Sequence, residues 1–562
     1  MSLNLGKEEE GYARGAFEGR VVRSGRSSDA CDKGCLVLFL LSTAAYVGLT
    51  GYYIANANVK SDLSNLGDVS IELITACRNA GGGSGSGSAG RLLASATVAG
   101  CADMFCVLSR AYIVPVVMIG LSFVIALLVL LALYMVPQTV TWASVVFNIA
   151  CYMFIGIAII MAASKSNTSP TVGYLFIAFG VVSMVLAYVT RHKIIMAGRH
   201  LKTASLSLAK NTSVFPAALI LQILIVLFIV LFWFANDSAA RNLQLDPVSC
   251  QPTYNSAVQY FFLFMFFWTT AWLKLARLNV VAMTVGSWYF GQSDRVGGLG
   301  ALTTTVTRSA PVVTVASIVC TIVDYLVAIA SNQFWWTDPL GCIMKCFFLI
   351  FQSCIMALTR YAMVGHAFIG KGFFASGKAA FAVLRRNAVG GYVNDRAGAS
   401  VVFIVSKVFS ILLGMGAWYW MDQIADTDTL DFILTQLDSA IAVAAFFIIW
   451  LYFVQIPTFT IIVLVKFQQL LSSITSGSSA TPLIDIYVPM TAIFISCFCS
   501  MILGFFSSLV LDAMSTIWLG YALGRDHGKT ASGDDGQDAV YALLNDNMKE
   551  DFVDAPTAVA VR

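Results

Sequence analysis

Residues 112–136 read YIVPVVMIGLSFVIALLVLLALYMV, 25 consecutive positions without a charged side chain. Wound as an α-helix, the run is about 37 Å long. That is enough to cross the ~30 Å hydrocarbon core of a bilayer. Inside lipid the backbone N–H and C=O groups find no water, so each must be satisfied within its own segment, and a helix does this. The stretch therefore decides the environment, and the rest of the chain repeats it.

Read outward from there, apolar blocks lie near 35–56, 112–136, 139–163, 171–190, 214–236, 257–287, 309–331, 340–366, 400–420, 438–466 and 486–520. The alternation expected of barrel strands is absent. Only 12% of the 562 residues are charged and 58% are hydrophobic. A soluble domain carries about 25% charged residues, so this chain lacks the polar surface to cover a water-soluble particle. The fold expected is all-α, a polytopic integral membrane protein with about ten or eleven transmembrane helices in one bundle.

Lys and Arg in the short loops set the expected orientation. Residues 1–34 hold six Lys and Arg, and the loops 191–213 and 367–399 are also rich in them, so these are expected in the cytosol. Loops 237–255 and 421–437 are poor in Lys and Arg and are expected outside. One transmembrane domain is expected over 35–523, followed by a polar cytosolic tail at 524–562. Eleven crossings would leave that tail outside. Block 438–466, with Gln455 and Pro457 mid-run, is the odd one: proline removes a helix donor, and both a re-entrant piece and a kinked extra span fit. The outward segment 57–111 contains GGGSGSGSAG at 81–90, a flexible composition. Cys77, Cys101, Cys106 and Cys250 would share the outer side, with three pairings open.

Several function classes drop out. Net charge is only +3, so no nucleic-acid partner is expected. There is no zinc-type His/Cys spacing and no phosphate-binding glycine motif, so neither a cofactor nor ATP hydrolysis is expected. No acid/base pair shares a helix face, which argues against an enzyme. No repeated filter segment points to a channel.

Ionisable residues inside the membrane are the stronger functional signal, because burying them is costly. Asp324 falls within TIVDYLVAI, next to Tyr325 and one helical turn from Thr321. A carboxylate among aromatic rings suits an organic cation, which aromatic faces attract. Trp268, Trp272, Trp288 and Tyr289 are candidate walls of such a site, although Trp and Tyr also serve as interfacial anchors. Lys274 and Arg277 are expected to snorkel toward the inner surface. Asp512, Lys407 and Ser376 are structural or gating candidates.

Several segments in order resemble the choline transporter-like family. Cys31-Asp32-x-x-Cys35 followed by LVLFLL resembles the entry to that family's first span. VAMTVGSWYF (281–290) resembles its small-residue stretch ending in Trp-Tyr-Phe. TRYAMVGHAFIGKGFFASGKAAFAVLRRN (359–387) is similar to its Asn-Ala-Tyr segment and the Gly-x-x-Phe-x-x-Ser-Ala run that follows. Asp395 and Lys407 fall at matching positions, and 488–526 is similar to the last span, with Asp512 and Asp526 as its acids. Departures are Gly377 after Ser376, Arg360-Tyr361-Ala362, and block 438–466, which looks like an insertion.

The resemblance implies sodium-independent transport of choline, with ethanolamine as a related substrate, at the plasma membrane, with membrane lipids around the protein. It does not identify binding residues. The alternative is a non-transporting membrane organiser or lipid-handling protein. Oligomeric state is not legible in the sequence.

Overall fold

The computed structural model describes residues 30–56, 113–166, 171–189, 191–241, 256–291, 296–333, 339–386, 404–425 and 484–526, with 244–245, 252–253, 398–399 and 401. The loop 57–111, the block 438–466, the four outward cysteines, Asp395 and both tails lie outside the described residues.

Thirteen helices are described: α1 (Ala30–Asn56), α2 (Ile113–Met135), α3 (Pro137–Ser166), α4 (Thr171–Val189), α5 (Arg191–Lys210), α6 (Val214–Arg241), α7 (Ser256–Tyr289), α8 (Gly298–Thr304), α9 (Ala310–Gln333), α10 (Pro339–Ile369), α11 (Phe373–Arg386), α12 (Phe409–Ala425) and α13 (Ile484–Asp526). A two-residue antiparallel pairing, β1 (Gln244–Leu245) with β2 (Pro252–Thr253), closes the loop between α6 and α7. Single π-turns at Thr305–Ser309 and Ile404–Val408 lead into α9 and α12. Eight described helices are long and apolar enough to cross a membrane, while 173–189 and 404–420 are shorter apolar pieces.

Two helices organise the rest. α7 runs 34 residues and α13 runs 43, roughly 50 and 65 Å of helix. α7 packs on α6, α9, α10 and α13, and α13 packs on α2, α5, α10 and α12. Their shared core includes Trp518, Tyr289, Tyr521 and Phe368, all buried. A second cluster joins Phe39 and Tyr46 of α1 to Phe232, Phe262 and Phe266–Trp268. On α2, Val116, Val124, Leu127 and Leu128 are exposed. Apolar exposure on this scale fits a surface that faces lipid tails.

Small residues set the closest approach. A Cβ on Gly156 of α3 would lie 2.8 Å from the Gly173 carbonyl of α4, and one on Gly173 the same distance from the Gly156 carbonyl. The backbones touch there, as membrane helices do at small residues. α7 and α10 stop at left-handed glycines, Gly291 (φ 59°) and Gly370 (φ 70°). The Gly370 N–H donates to the His366 carbonyl at 2.8 Å, satisfying an end carbonyl that the helix leaves open.

Two stretches read from the sequence as basic loops contain helices. In α5 the charged side chains Arg191, Arg199, Lys202 and Lys210 are exposed, while Leu201, Ala204 and Leu208 are buried. Charge lowers mean hydropathy without preventing an amphipathic helix. His200 on α5 is buried, and burial pushes its imidazole down to about 4. α11 is likewise amphipathic, with Phe373, Ala380 and Val383 packed inward.

Candidate functional site: a polar centre between α7, α9 and α10

The site begins with a stripe on α9. Thr314, Ser317, Thr321 and Asp324 recur at three- and four-residue spacing, so they share one face. The three hydroxyls donate back to their own helix: Thr314 to Ala310 O (2.8 Å), Ser317 to Thr314 O (2.8 Å) and Thr321 to Ser317 O (2.7 Å). That leaves their oxygens free to accept. Trp272 Nε1 donates to Thr314 Oγ1 and Trp268 Nε1 to Ser317 Oγ, each at 3.1 Å. Phe39 of α1 closes the group, edge-on to Trp268 with centroids 5.1 Å apart and stacked on Trp272 at 5.9 Å. Trp268 is only 1% exposed, so its faces are already occupied, whereas Trp272 is half-buried.

Asp324 continues the stripe one turn beyond Thr321. Gln352 of α10 donates to Asp324 Oδ1 at 2.5 Å. Lys274 of α7 lies within electrostatic reach of Asp324, Arg277 and Cys320. Tyr325 packs edge-on to Phe264 at 6.1 Å, and Phe264 is in turn edge-on to Trp268 at 5.6 Å, so Tyr325 joins the same aromatic cluster.

A second polar group lies deeper. Arg277 Nε donates to Asp512 Oδ2 of α13 at 3.2 Å, with both residues buried. Arg360 acts on the same carboxylate. Lys407, in the second π-turn, donates to Ser500 Oγ at 3.1 Å. The expectation that Arg277 snorkels to the inner surface is corrected here: Arg277 is buried and has Asp512 as its partner inside the bundle, so it does not have to reach water, while Lys274 is exposed.

The structure gathers Trp268, Trp272, Thr321 and Asp324 along the α7–α9 contact. It does not bring Trp288 and Tyr289 to them. These follow Trp268 by about 20 positions on one helix, roughly 30 Å of rise. Both are buried, with Tyr289 packed beside Phe290 and against Gly520.

Ser376 belongs to a separate corner. Its hydroxyl donates to Lys371 O at 3.1 Å. The same carbonyl accepts from His366 Nδ1 at 2.6 Å, and His366 Nε2 meets Ser309 Oγ at 3.2 Å. A carbonyl only accepts, so Nδ1 carries the proton and Ser309 donates to Nε2. Asn279 of α7 ties to the same π-turn, donating to Thr305 Oγ1 at 3.0 Å.

Gln352, His366 and Asn279 were not singled out from the sequence. An intramembrane polar residue is the signal that marks each of them. No group of three or more His, Cys, Asp or Glu fit to hold a metal occurs among the described residues.

A helical bundle with eight described helices long and apolar enough to cross a membrane, and with charged and aromatic side chains meeting between α7, α9 and α10, has the architecture of a polytopic membrane protein. Residues 174–465 match the family model described as plasma-membrane choline transporter, and the chain belongs to that family. It is also 23% identical over 266 residues to Protein PNS1 of Mycosarcoma maydis, a match covering 45% of this chain and 49% of that protein. The chain thus spans about half the length of the curated relative it matches.

Proposed function

We propose that the chain carries choline, or a related small organic amine such as ethanolamine, across the membrane without ATP hydrolysis and without acting as an enzyme. The observation that carries this reading is the acid Asp324, set on the α9 stripe that also holds the Trp272 indole and within electrostatic reach of Lys274. An ammonium substrate entering from one side would replace Lys274 as the counter-charge of Asp324. The exposed part of Trp272 would meet its methyl groups by cation–π attraction, about 2 kcal/mol when desolvated. Thr321 lines the wall, and Gln352 holds the carboxylate in place. Membership of the family, with Asp324 inside the matched residues 174–465, supports the same substrate class.

We further place the protein in the plasma membrane with its N-terminus in the cytosol, on the side of α5 and α11, following the basic residues of these segments. Saturable uptake of labelled choline into proteoliposomes tests the reading. Uptake no greater than in protein-free vesicles contradicts it and leaves the non-transporting alternative.

A further inference from the structure

The short helix α11 carries an outward face that the bundle leaves uncovered. It folds back on α10 after Gly370, Lys371 and Gly372, and the two helices meet closely. A Cβ on Gly365 of α10 would lie 3.2 Å from the Ser376 carbonyl oxygen and 3.4 Å from the Cβ of Ala380. Gly365 stands about one helical turn before Ile369, where the apolar span of α10 ends. The middle of α11 is thus level with the end of that span, where hydrocarbon gives way to headgroups.

The inward face of α11 is Phe373, Ser376, Ala380 and Val383, all buried. Its outward face is Phe374, Lys378 and Phe381, which share one side by their four- and three-residue spacing. Phe374 is 57% exposed and Phe381 52%. Lys378 is exposed too, and it makes no ion pair or hydrogen bond among the described residues. The two rings stand about 10 Å apart along the helix, with the lysine between them. No Asp or Glu occurs between Asp338 and Asp395, and α11 ends in Arg385 and Arg386, so its charge is purely basic.

Exposed rings alone would suit lipid tails, and an exposed lysine alone would suit water. Their alternation on one face suits the boundary, with rings among acyl chains and an ammonium reaching up to the headgroups. α5 differs. It exposes Arg199, Lys202 and Lys210 with no large exposed apolar side chain among its described residues. We propose that α11 is an interfacial anchor for anionic phospholipid in the leaflet at its end of the bundle. Phe374 and Phe381 enter the acyl region, and Lys378 pairs with the anionic headgroup.

Hydrogen exchange of the purified full-length protein, held one copy to a lipid nanodisc, reads α11 directly. One set of discs is phosphatidylcholine, and the other is an equal mixture with phosphatidylserine. The serine lipid should slow exchange in 373–386 by about fivefold or more, and high salt should reverse the slowing. Lys378→Gln should lose most of it and Lys378→Arg should keep it. The double change Phe374→Ser with Phe381→Ser should lose it as well, whereas Lys202→Gln on α5 should leave it intact. Equal exchange in the two sets of discs, or slowing that survives in Lys378→Gln, overturns the anchor. So does equal slowing by soluble glycerophosphoserine added to phosphatidylcholine discs, because a free anion would then suffice without the bilayer. None of these readouts depends on substrate.

Discussion

Arg277 and Asp512 stand 235 positions apart in the chain and meet at 3.2 Å in the buried contact between α7 and α13. The two longest helices are thus joined by a charge pair that neither could bury alone. Breaking such a pair leaves one charge unmatched and costs about 3–5 kcal/mol, while replacing both partners with apolar residues is far milder. Asp512→Asn should lower the unfolding midpoint strongly, and the double change Arg277→Met with Asp512→Leu should recover most of the loss. A double change no better than the single one would show that Arg360, which acts on the same carboxylate, also needs Asp512 as its counter-charge.

Trp272 contributes a ring and an N–H, and these separate experimentally. Trp272→Phe keeps the stack on Phe39 and loses the bond to Thr314, a cost of about 1 kcal/mol in stability. Trp272→Ala removes the aromatic face, and KM for choline should rise by about thirtyfold if a desolvated contact worth ~2 kcal/mol is lost. Labelled uptake for both variants checks this; equal KM values would take the indole out of the substrate path.

The fold was legible because hydropathy is a local property. Blocks 112–136, 171–190 and 309–331 coincide within a few residues with α2, α4 and α9. The sequence of α5 reads as a loop because Arg191, Arg199 and Lys202 mask its apolar face when hydropathy is averaged along the chain. Of the site, Asp324 stood out because an acid amid apolar residues is expensive wherever it packs. Its partners did not: Gln352 lies 28 positions away, and that distance is bridged only by the packing of α9 on α10. Trp288 and Tyr289 entered through a motif shared along the sequence, and one-dimensional proximity says nothing about the 30 Å that α7 places between them and Trp268.

His200 makes stability depend on pH. Burial depresses its imidazole from the ordinary 6.5 to about 4, so between these values the unfolded chain binds the extra proton. Stability is therefore full above about pH 6.5 and is lost as the pH falls toward 4. By pH 5 the loss should be on the order of 1–2 kcal/mol. His200→Phe should flatten that part of the midpoint-against-pH curve; an unchanged slope would assign the acid sensitivity to other groups.

Gly298 opens α8 with its N–H bonded to Ser213 Oγ at 3.2 Å. A Cβ there would fall 1.9 Å from the Ser213 carbonyl oxygen, so the backbone itself must move. Gly298→Ala should destabilise by about 2 kcal/mol or more, whereas Gly300→Ala, with open space around it, should be near neutral. Thermal unfolding of the two variants side by side provides the comparison.

The central claim is that Asp324 supplies the charge that holds the organic cation. Equilibrium binding of labelled choline to the purified protein tests it most directly, comparing the unaltered chain with Asp324→Asn and Asp324→Glu. The account predicts saturable binding that Asp324→Asn weakens by about tenfold or more, a loss of about 1.4 kcal/mol, with partial retention in Asp324→Glu. Equal affinity in the unaltered protein and a well-folded Asp324→Asn would contradict it.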